Sequence, residues 1–417
     1  MSSFDLPDEF VIESLDIEGN DVRGLFASLS VFENIYTPLI TGSVTFLETD
    51  KADFIAKYKI EGNEEFKFEI KTAKDKYKFE GVLNGLRNKS NDQQFTMYTF
   101  DFTTEEVRKN ESEFITKAYK EKDPKQIVEE MIKKMDGKQD KMNGSGKPMT
   151  VLPSNKRPYD VIKYVLTHGV VNKANASEGE KEKREEKAKG NGGFMCWATA
   201  DGFRFASVDD VMEGSAGGDG GEFKSAMMNK GQSVDEMMKN IVHYEFEVQG
   251  DMQSKMRSGA FVSKHISFDL DKLQYKEYEY DNTEQCAPKQ KKIVKKDKPT
   301  RIFSSVHSNE RHENESQKAQ NSKYDQRRYW IPQTPGGENT HDDQKGSFIL
   351  YPQCKLRAGD TITTKIHKID DAQYDKKHSG KYVVREVAHH FTLAPSPRAF
   401  TRVSVVRSTK QLDDSSS

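Results

Sequence analysis

Apolar and polar positions alternate with a period of two through most of the first hundred residues. Residues 10–17, 24–32 (GLFASLSVF), 42–47 (GSVTFL), 65–70 (EFKFEI), 77–83 (YKFEGVL) and 95–102 (FTMYTFDF) each read as a strand bounded by polar turns. Lys67 and Glu69 between Phe66, Phe68 and Ile70 imply one wet face per strand. Closely spaced strands of this kind predict a β-barrel or sandwich over residues 10–104.

The period then changes. Asp123-Pro124 supplies an N-cap and a first-turn proline, and Ile127, Val128, Met131, Ile132 and Met135 follow at helical spacing. Arg157-Pro158 opens a second helix, with Val161, Ile162, Val165 and Leu166 on one side. Residues 194–205 (FMCWATADGFRF) read as a hairpin turning at Asp201-Gly202. The glycines from Gly214 to Gly221 read as a linker, and 233–241 as a short helix whose methionines serve a core. Residues 256–270 and 273–280 read as a strand pair.

The last sixty residues return to strands: 356–366, 379–391 and 400–408, cornered at Gly359-Asp360 and Ser379-Gly380. By simple alternation Val383, Val387, Phe391 and Leu393 share one face of the middle strand, and Tyr382, Val384 and Ala388 the other. Both faces need cover. A small barrel, or a sheet inside an assembly, provides it.

At 417 residues the chain is long enough for about two to four domains. Lys+Arg 65 against Asp+Glu 67 gives a net charge of −2, so no whole-chain attraction to nucleic acid or membrane follows. The N-terminus lacks the pattern of a signal peptide, and no apolar run approaches the ~18 residues of a membrane span, which predicts a soluble protein made in a cytosol. Cys196, Cys286 and Cys354 are too scattered for a disulfide framework or a zinc site. Residues 172–191 are a charged excursion with little to bury, 281–346 are mostly polar, and the basic run 289–298 lacks the aromatics a nucleic-acid surface interleaves.

Catalytic patterns are missing from the sequence. No G-x-S-x-G, Walker loop, H-E-x-x-H or dinucleotide fingerprint occurs. Acidic residues on the strands alternate with lysines as on solvated faces, not as a glycosidase pair. His389 and His390 are adjacent on a strand and so point to opposite faces, while His307 and His312 lie in the polar stretch. No catalytic, cofactor-binding or metal-binding residue is therefore assigned.

Five strings, in order, carry a resemblance: VFENIYTPLITGSVTF at 31–46, RPYDVIKYV at 157–165, the 194–211 hairpin FMCWATADGFRFASVDDV, GAFVSKHISFDLDKLQYKEYEY at 259–280, and a closing L-x-x-G-D-x-I, S-G-K-Y-V-V-x-E-V-x-H, F-x-x-x-V-x-V-V-R ladder. In this order the chain resembles phage tail hub proteins, the family of the T-even baseplate central hub and the base of type VI secretion spikes. The resemblance implies an α+β, mainly β fold: two tube-like antiparallel β-barrel domains and a helix-containing middle domain with inserted polar loops. The expected division is 1–110, the first barrel; 111–255, the middle domain; 256–346, a strand pair and polar connection; 347–410, closure of the second barrel; and 411–417, a disordered tail.

It further implies a non-enzymatic virion protein of the tail baseplate, assembled in the host bacterial cytoplasm. The expected partners are two further copies in a homotrimeric ring, a trimeric spike, tail tube or tube-initiating proteins, and baseplate wedge proteins. DNA is a transient passenger, with no membrane insertion and no cofactor. The ring would adapt the sixfold tube of a contractile injection machine to a threefold spike. The competing expectations are a tail-associated peptidoglycan hydrolase on the same scaffold, and another baseplate component such as a wedge subunit.

Overall fold

The computed structural model describes residues 4–49, 53–92, 94–146, 148–171, 187–188, 193–225, 232–247, 252–270, 273–281, 293–294, 298–307, 344–368 and 373–407. Most of the charged excursion, most of the basic run, Cys286, His312 and the tail after Arg407 lie outside these residues.

The first half holds β1 (Phe10–Ile17), β2 (Asn20–Asp21), β3 (Phe26–Asn34), β4 (Thr41–Glu48), β5 (Glu65–Thr72), β6 (Lys76–Asn91) and β7 (Thr96–Thr103), with α1 (Phe54–Tyr58) between β4 and β5. The alternation seen in the sequence is the cause. In β5 Phe66, Phe68 and Ile70 are buried while Lys67 and Glu69 are partly exposed, and Phe46, Phe54, Phe100 and Phe102 complete a core of aromatic rings.

The middle begins with α2 (Glu106–Ser112), β8 (Tyr119–Lys122) and α3 (Pro124–Lys134). Then come β9 (Gln139–Met142), β10 (Met149–Val151), α4 (Pro158–His168), β11 (Lys187–Ala188), β12 (Phe194–Thr199) and β13 (Gly202–Ser207). Asp123 caps α3 by accepting from Lys125 N at 2.8 Å, and Ile127, Val128, Met131 and Ile132 form its buried stripe. The β12–β13 hairpin is buried on both faces. Phe194, Cys196 and Ala198 join the core of the helices, whereas Met195 and Trp197 join a separate cluster with Ala358, Val383 and Val406.

The remaining strands are β14 (Asp219–Lys224), β15 (Ile241–Phe246), β16 (Val262–Asp269), β17 (Gln274–Asp281), β18 (Arg301–His307), β19 (Gln344–Leu350), β20 (Thr361–Lys365), β21 (Gly380–Thr392) and β22 (Arg398–Arg407). β14 and β15, within the stretch 111–255, pair with β20 and β19 of the last half. β16, β17 and β18 form a small separate sheet to which Lys187 and Ala188 add a short parallel pairing.

The two halves repeat one connectivity. The first follows the path β3-β4-β7-β6-β5-β1, and the last follows β15-β19-β22-β21-β20-β14. In chain order β1 corresponds to β14, β3 to β15, β4 to β19, β5 to β20, β6 to β21 and β7 to β22. Register agrees as well. Gly42 and Ser43 face Phe102 and Asp101, and Gly346 and Ser347 face Val405 and Ser404. Both long strands carry a bulge at the same place, between Leu83 and Gly85 in β6 and between Val384 and Glu386 in β21. The outermost pairs differ: β1 is antiparallel to β5, while β14 is parallel to β20. Antiparallel pairing of residues 386–392 of β21 with 28–34 of β3 joins the halves into one thirteen-stranded sheet, whose path stays open at β2 and β15.

Several sequence expectations are corrected here. The bulge at Arg385 adds one residue and resets the alternation, so Val387 shares a cluster with Tyr382 and Val384 instead of Val383. Residues 214–221 are no linker: a Cβ on Gly217 would stand 1.9 Å from the Gly359 carbonyl oxygen, and β14 begins at Asp219. Residues 252–258, partly assigned to a strand, form a helix, and the 233–241 helix is shorter, Val234–Met237, opened by a capping box on Ser233. Leu356 to Asp360 form a loop ahead of β20, not its first residues.

The tight approach around Gly359 gives a direct stability test. Gly359 has φ +86°, and an added Cβ would lie 2.6 Å from Trp197 Cζ2. Gly359→Ala is expected to cost at least about 2 kcal/mol in denaturant unfolding, through overpacking and a left-handed backbone. Gly24→Ala, with open space around it, is expected to stay within about 0.5 kcal/mol of the parent.

Candidate functional site at the joint between the two halves

The most densely organised polar site among the described residues lies under the β3–β21 joint. β3 supplies Glu33, β6 Tyr77, the β12–β13 hairpin Trp197, Asp201 and Arg204, the loop before β20 Arg357 and Asp360, and β21 His389. All but Asp201 are buried.

Glu33 is received by backbone. Its Oε1 accepts from Ala200 N at 3.0 Å and its Oε2 from Ala358 N at 3.2 Å, so one carboxylate ties the hairpin turn to the loop before β20. Arg357 Nε stands 3.9 Å from Glu33 and donates to Asp201 Oδ2 at 3.0 Å, with the guanidinium 5.4 Å from the Tyr77 ring centroid. Arg204 bridges Asp140 of β9 at 2.6 Å and Asp360 at 2.8 Å. Asp360 also accepts from Gly218 N at 2.7 Å and Arg357 N at 3.0 Å, and Trp197 Nε1 donates to the Ala358 carbonyl at 2.8 Å.

Burial raises the Glu33 pKa, opposed by Arg357 and the two backbone donors. On Arg357 burial works downward but is outweighed by Glu33, Tyr77 and Asp201, so its pKa is raised and the charge is firm. His389 is pushed down to about 3 by burial, then by Arg357 and His390, which leaves a neutral imidazole 3.1 Å from Thr401 Oγ1. The site binds its own polypeptide on every side, and its chemistry is that of a lock.

The sequence assigned no functional residues, and it missed this network. Glu33 departs from the solvated acids expected on the strands. A signal existed: Arg204 sits between Phe203 and Phe205 in an apolar hairpin, and the strings at 31–46, 194–211, 356–362 and 379–389 all contribute to this one place. His389 and His390 do face apart, His390 meeting Ser30 at 2.9 Å and the Phe32 ring at 5.8 Å. Cys196 and Cys354 are buried free thiols, both pushed up to about 12, by burial above all. His307 ends β18 opposite Asp269. Among the described residues there is no group of three or more His, Cys, Asp or Glu that could hold a metal, and no helix long and apolar enough to cross a membrane.

No family model and no curated protein sequence matches the chain. Solved structures do. The 43 kDa tail protein of prophage MuSo2 from Shewanella oneidensis superposes with TM-score 0.52 at 10% identity, over 96% of this chain and 98% of that one. The tail protein from Neisseria meningitidis MC58 gives 0.51 at 8% identity, over 98% and 99%. The chain thus shares, nearly end to end, the mainly β fold of phage tail proteins, in line with the resemblance its motifs carried.

Two measurements test the lock. Arg357→Met leaves Glu33 buried without its cation and is expected to cost about 3–5 kcal/mol in denaturant unfolding. His389 takes its proton in the unfolded chain near pH 6.5 but in the folded chain only near 3, so stability falls as pH drops through that window. Between pH 7.5 and 5 its share is about 2 kcal/mol, and the pH dependence of the melting curve should shrink by about that much in His389→Gln.

Proposed function

We propose that this chain is a structural component of a contractile phage tail, the central hub of the baseplate. Three copies form a ring that presents six tube-like units to the tail tube on one side and threefold symmetry to a spike on the other. The observation that carries this reading is the repeated six-strand connectivity, set side by side in one sheet. A threefold ring of such chains offers a near-sixfold surface without any change of sequence. The tail-protein fold over nearly the whole chain supports the same conclusion.

On this reading the two halves are the tube-like barrels, each completed by its neighbours in the ring. The helices and the small β16–β18 sheet add contact surface for spike and wedge proteins. DNA passes through the central channel as cargo, in the virion tail. The chain performs no bond-breaking step. At the joint the buried carboxylates Glu33 and Asp360 are met by Arg357 and Arg204, and burial pushes the neighbouring Cys354 thiol up to about 12.

Light scattering of the purified protein, alone and with the spike from the same particle, tests the ring. The expected result is a trimer in at least the second sample. A monodisperse monomer at micromolar concentration in both would contradict the hub reading.

A further inference from the structure

We propose that the open face of the small β16–β18 sheet is the docking surface for residues 324–331 of the same chain, which reach it from the end of β18. The assignment stands apart from the ring reading, and its test needs no ring.

The small sheet has one closed face and one open face. On the closed side Ser263 and His265 of β16 are buried, and Phe261, Val262 and Val294 cluster with Met252 and Met256 of the helix 252–258. Side chains alternate along a strand, so Lys264, Ile266 and Phe268 of β16 turn the other way. Register carries that face across the sheet. Phe268 stands between Tyr275 of β17 and Val306 of β18, and Lys264 stands between Glu279 and Ile302. Tyr275, Ile302 and Val306 are 65%, 61% and 58% exposed, and Leu270 and Leu273 at the β16–β17 turn are more than half exposed. Single exposed apolar side chains are ordinary on a protein surface; five gathered on one small sheet mark a binding face.

The chemistry of the face describes what fits it. Its apolar side chains lie along β18 and toward the turn, while Glu277 and Glu279 stand exposed along β17, with Lys264 paired to Glu277. A matching segment is aromatic or aliphatic and carries positive charge beside its apolar residues. Residues 308–343 follow β18 directly and lie outside the described residues. Their sequence is polar except at one place: apart from prolines and Ala319, the apolar residues are Tyr324, Tyr329, Trp330 and Ile331. Lys323, Arg327 and Arg328 stand among them, against the single acid Asp325.

Attachment favours this occupant over any other. The chain leaves β18 at His307, next to Val306 of the open face, so the segment starts at its own docking surface. A tethered segment meets its site at an effective concentration on the order of millimolar, and a free partner at micromolar concentration has to bind about a thousandfold more tightly to displace it. Another protein, or a second copy, therefore reaches this face only in competition with the chain's own residues.

Tryptophan emission reads the contact directly. The sequence holds two tryptophans, Trp197 and Trp330, and Trp197 is fully buried in the β12–β13 hairpin. Subtracting the spectrum of Trp330→Phe from that of the parent isolates Trp330. Its emission is expected to be shifted to the blue of its value in urea, shielded from acrylamide, and unchanged on dilution to concentrations where light scattering reports monomers. Ile302→Asp combined with Val306→Asp should abolish the blue shift and the shielding while leaving the emission of Trp197 as it is in the parent. Glu279→Lys should weaken the shielding, and adding Arg327→Glu with Arg328→Glu should restore it, which decides the matter if the aspartate variant fails to fold. A Trp330 as open to acrylamide in the folded parent as in urea overturns the assignment, and so does a shielded Trp330 that neither set of variants exposes. Shielding that appears only as copies associate gives the face to a second copy and overturns it as well.

Discussion

A carboxylate cut off from water costs several kcal/mol unless donors and a cation meet it. Glu33 is such a group, and the way it is met determines how the rest of the molecule is arranged. Its two oxygens are taken by backbone N–H groups from the hairpin turn and from the loop before β20, and Arg357 supplies the charge. Moving either half relative to the other would leave at least one of these groups buried and unpaired. The β21–β3 ladder runs directly through the same place, with Val387 opposite Glu33. The joint is therefore fixed by register on one side and by a charge network on the other.

Fixing that joint matters because the halves are alike in connectivity and unlike in sequence. The first is filled with aromatic rings; the last is filled mostly with valines, isoleucines and leucines around Tyr382, Phe348 and Phe223. What the two share is geometric: a Gly-Ser pair in the second strand of the path, and a bulge where the long strand passes from one partner to another. At Gly42 the reason is visible, since a Cβ would stand 2.1 Å from Phe102 Cζ and 2.5 Å from the Ser30 carbonyl. Such constraints keep a strand path without fixing side chains, so the repeat is plain in pairing and nearly silent in residues.

That explains what could be read from the chain beforehand. Strands with one wet face, such as β5, announce themselves by alternation, and α3 by its Asp-Pro cap, because local chemistry decides them. The Gly42 run in β4 has its counterpart in the Gly346 run of β19, although the run beginning at Gly380 is also led by a glycine; a glycine-led strand is too common a signal to set a register. The bulge at Arg385 was illegible because an extra residue breaks the period that alternation relies on. The charge network was invisible as a network because its members are spread over more than 300 residues, although Glu33, Asp201, Arg204, Arg357 and Asp360 each stood inside a motif that carried the resemblance.

The central claim is that one chain offers two equivalent units to a ring. A reconstruction of the assembled ring, at a resolution that traces strands, measures this most directly. The account predicts first and last halves alternating at equal radius and equal height around one threefold axis, related by close to a sixth of a turn. Halves stacked along the axis, or standing at clearly different radii, would contradict it.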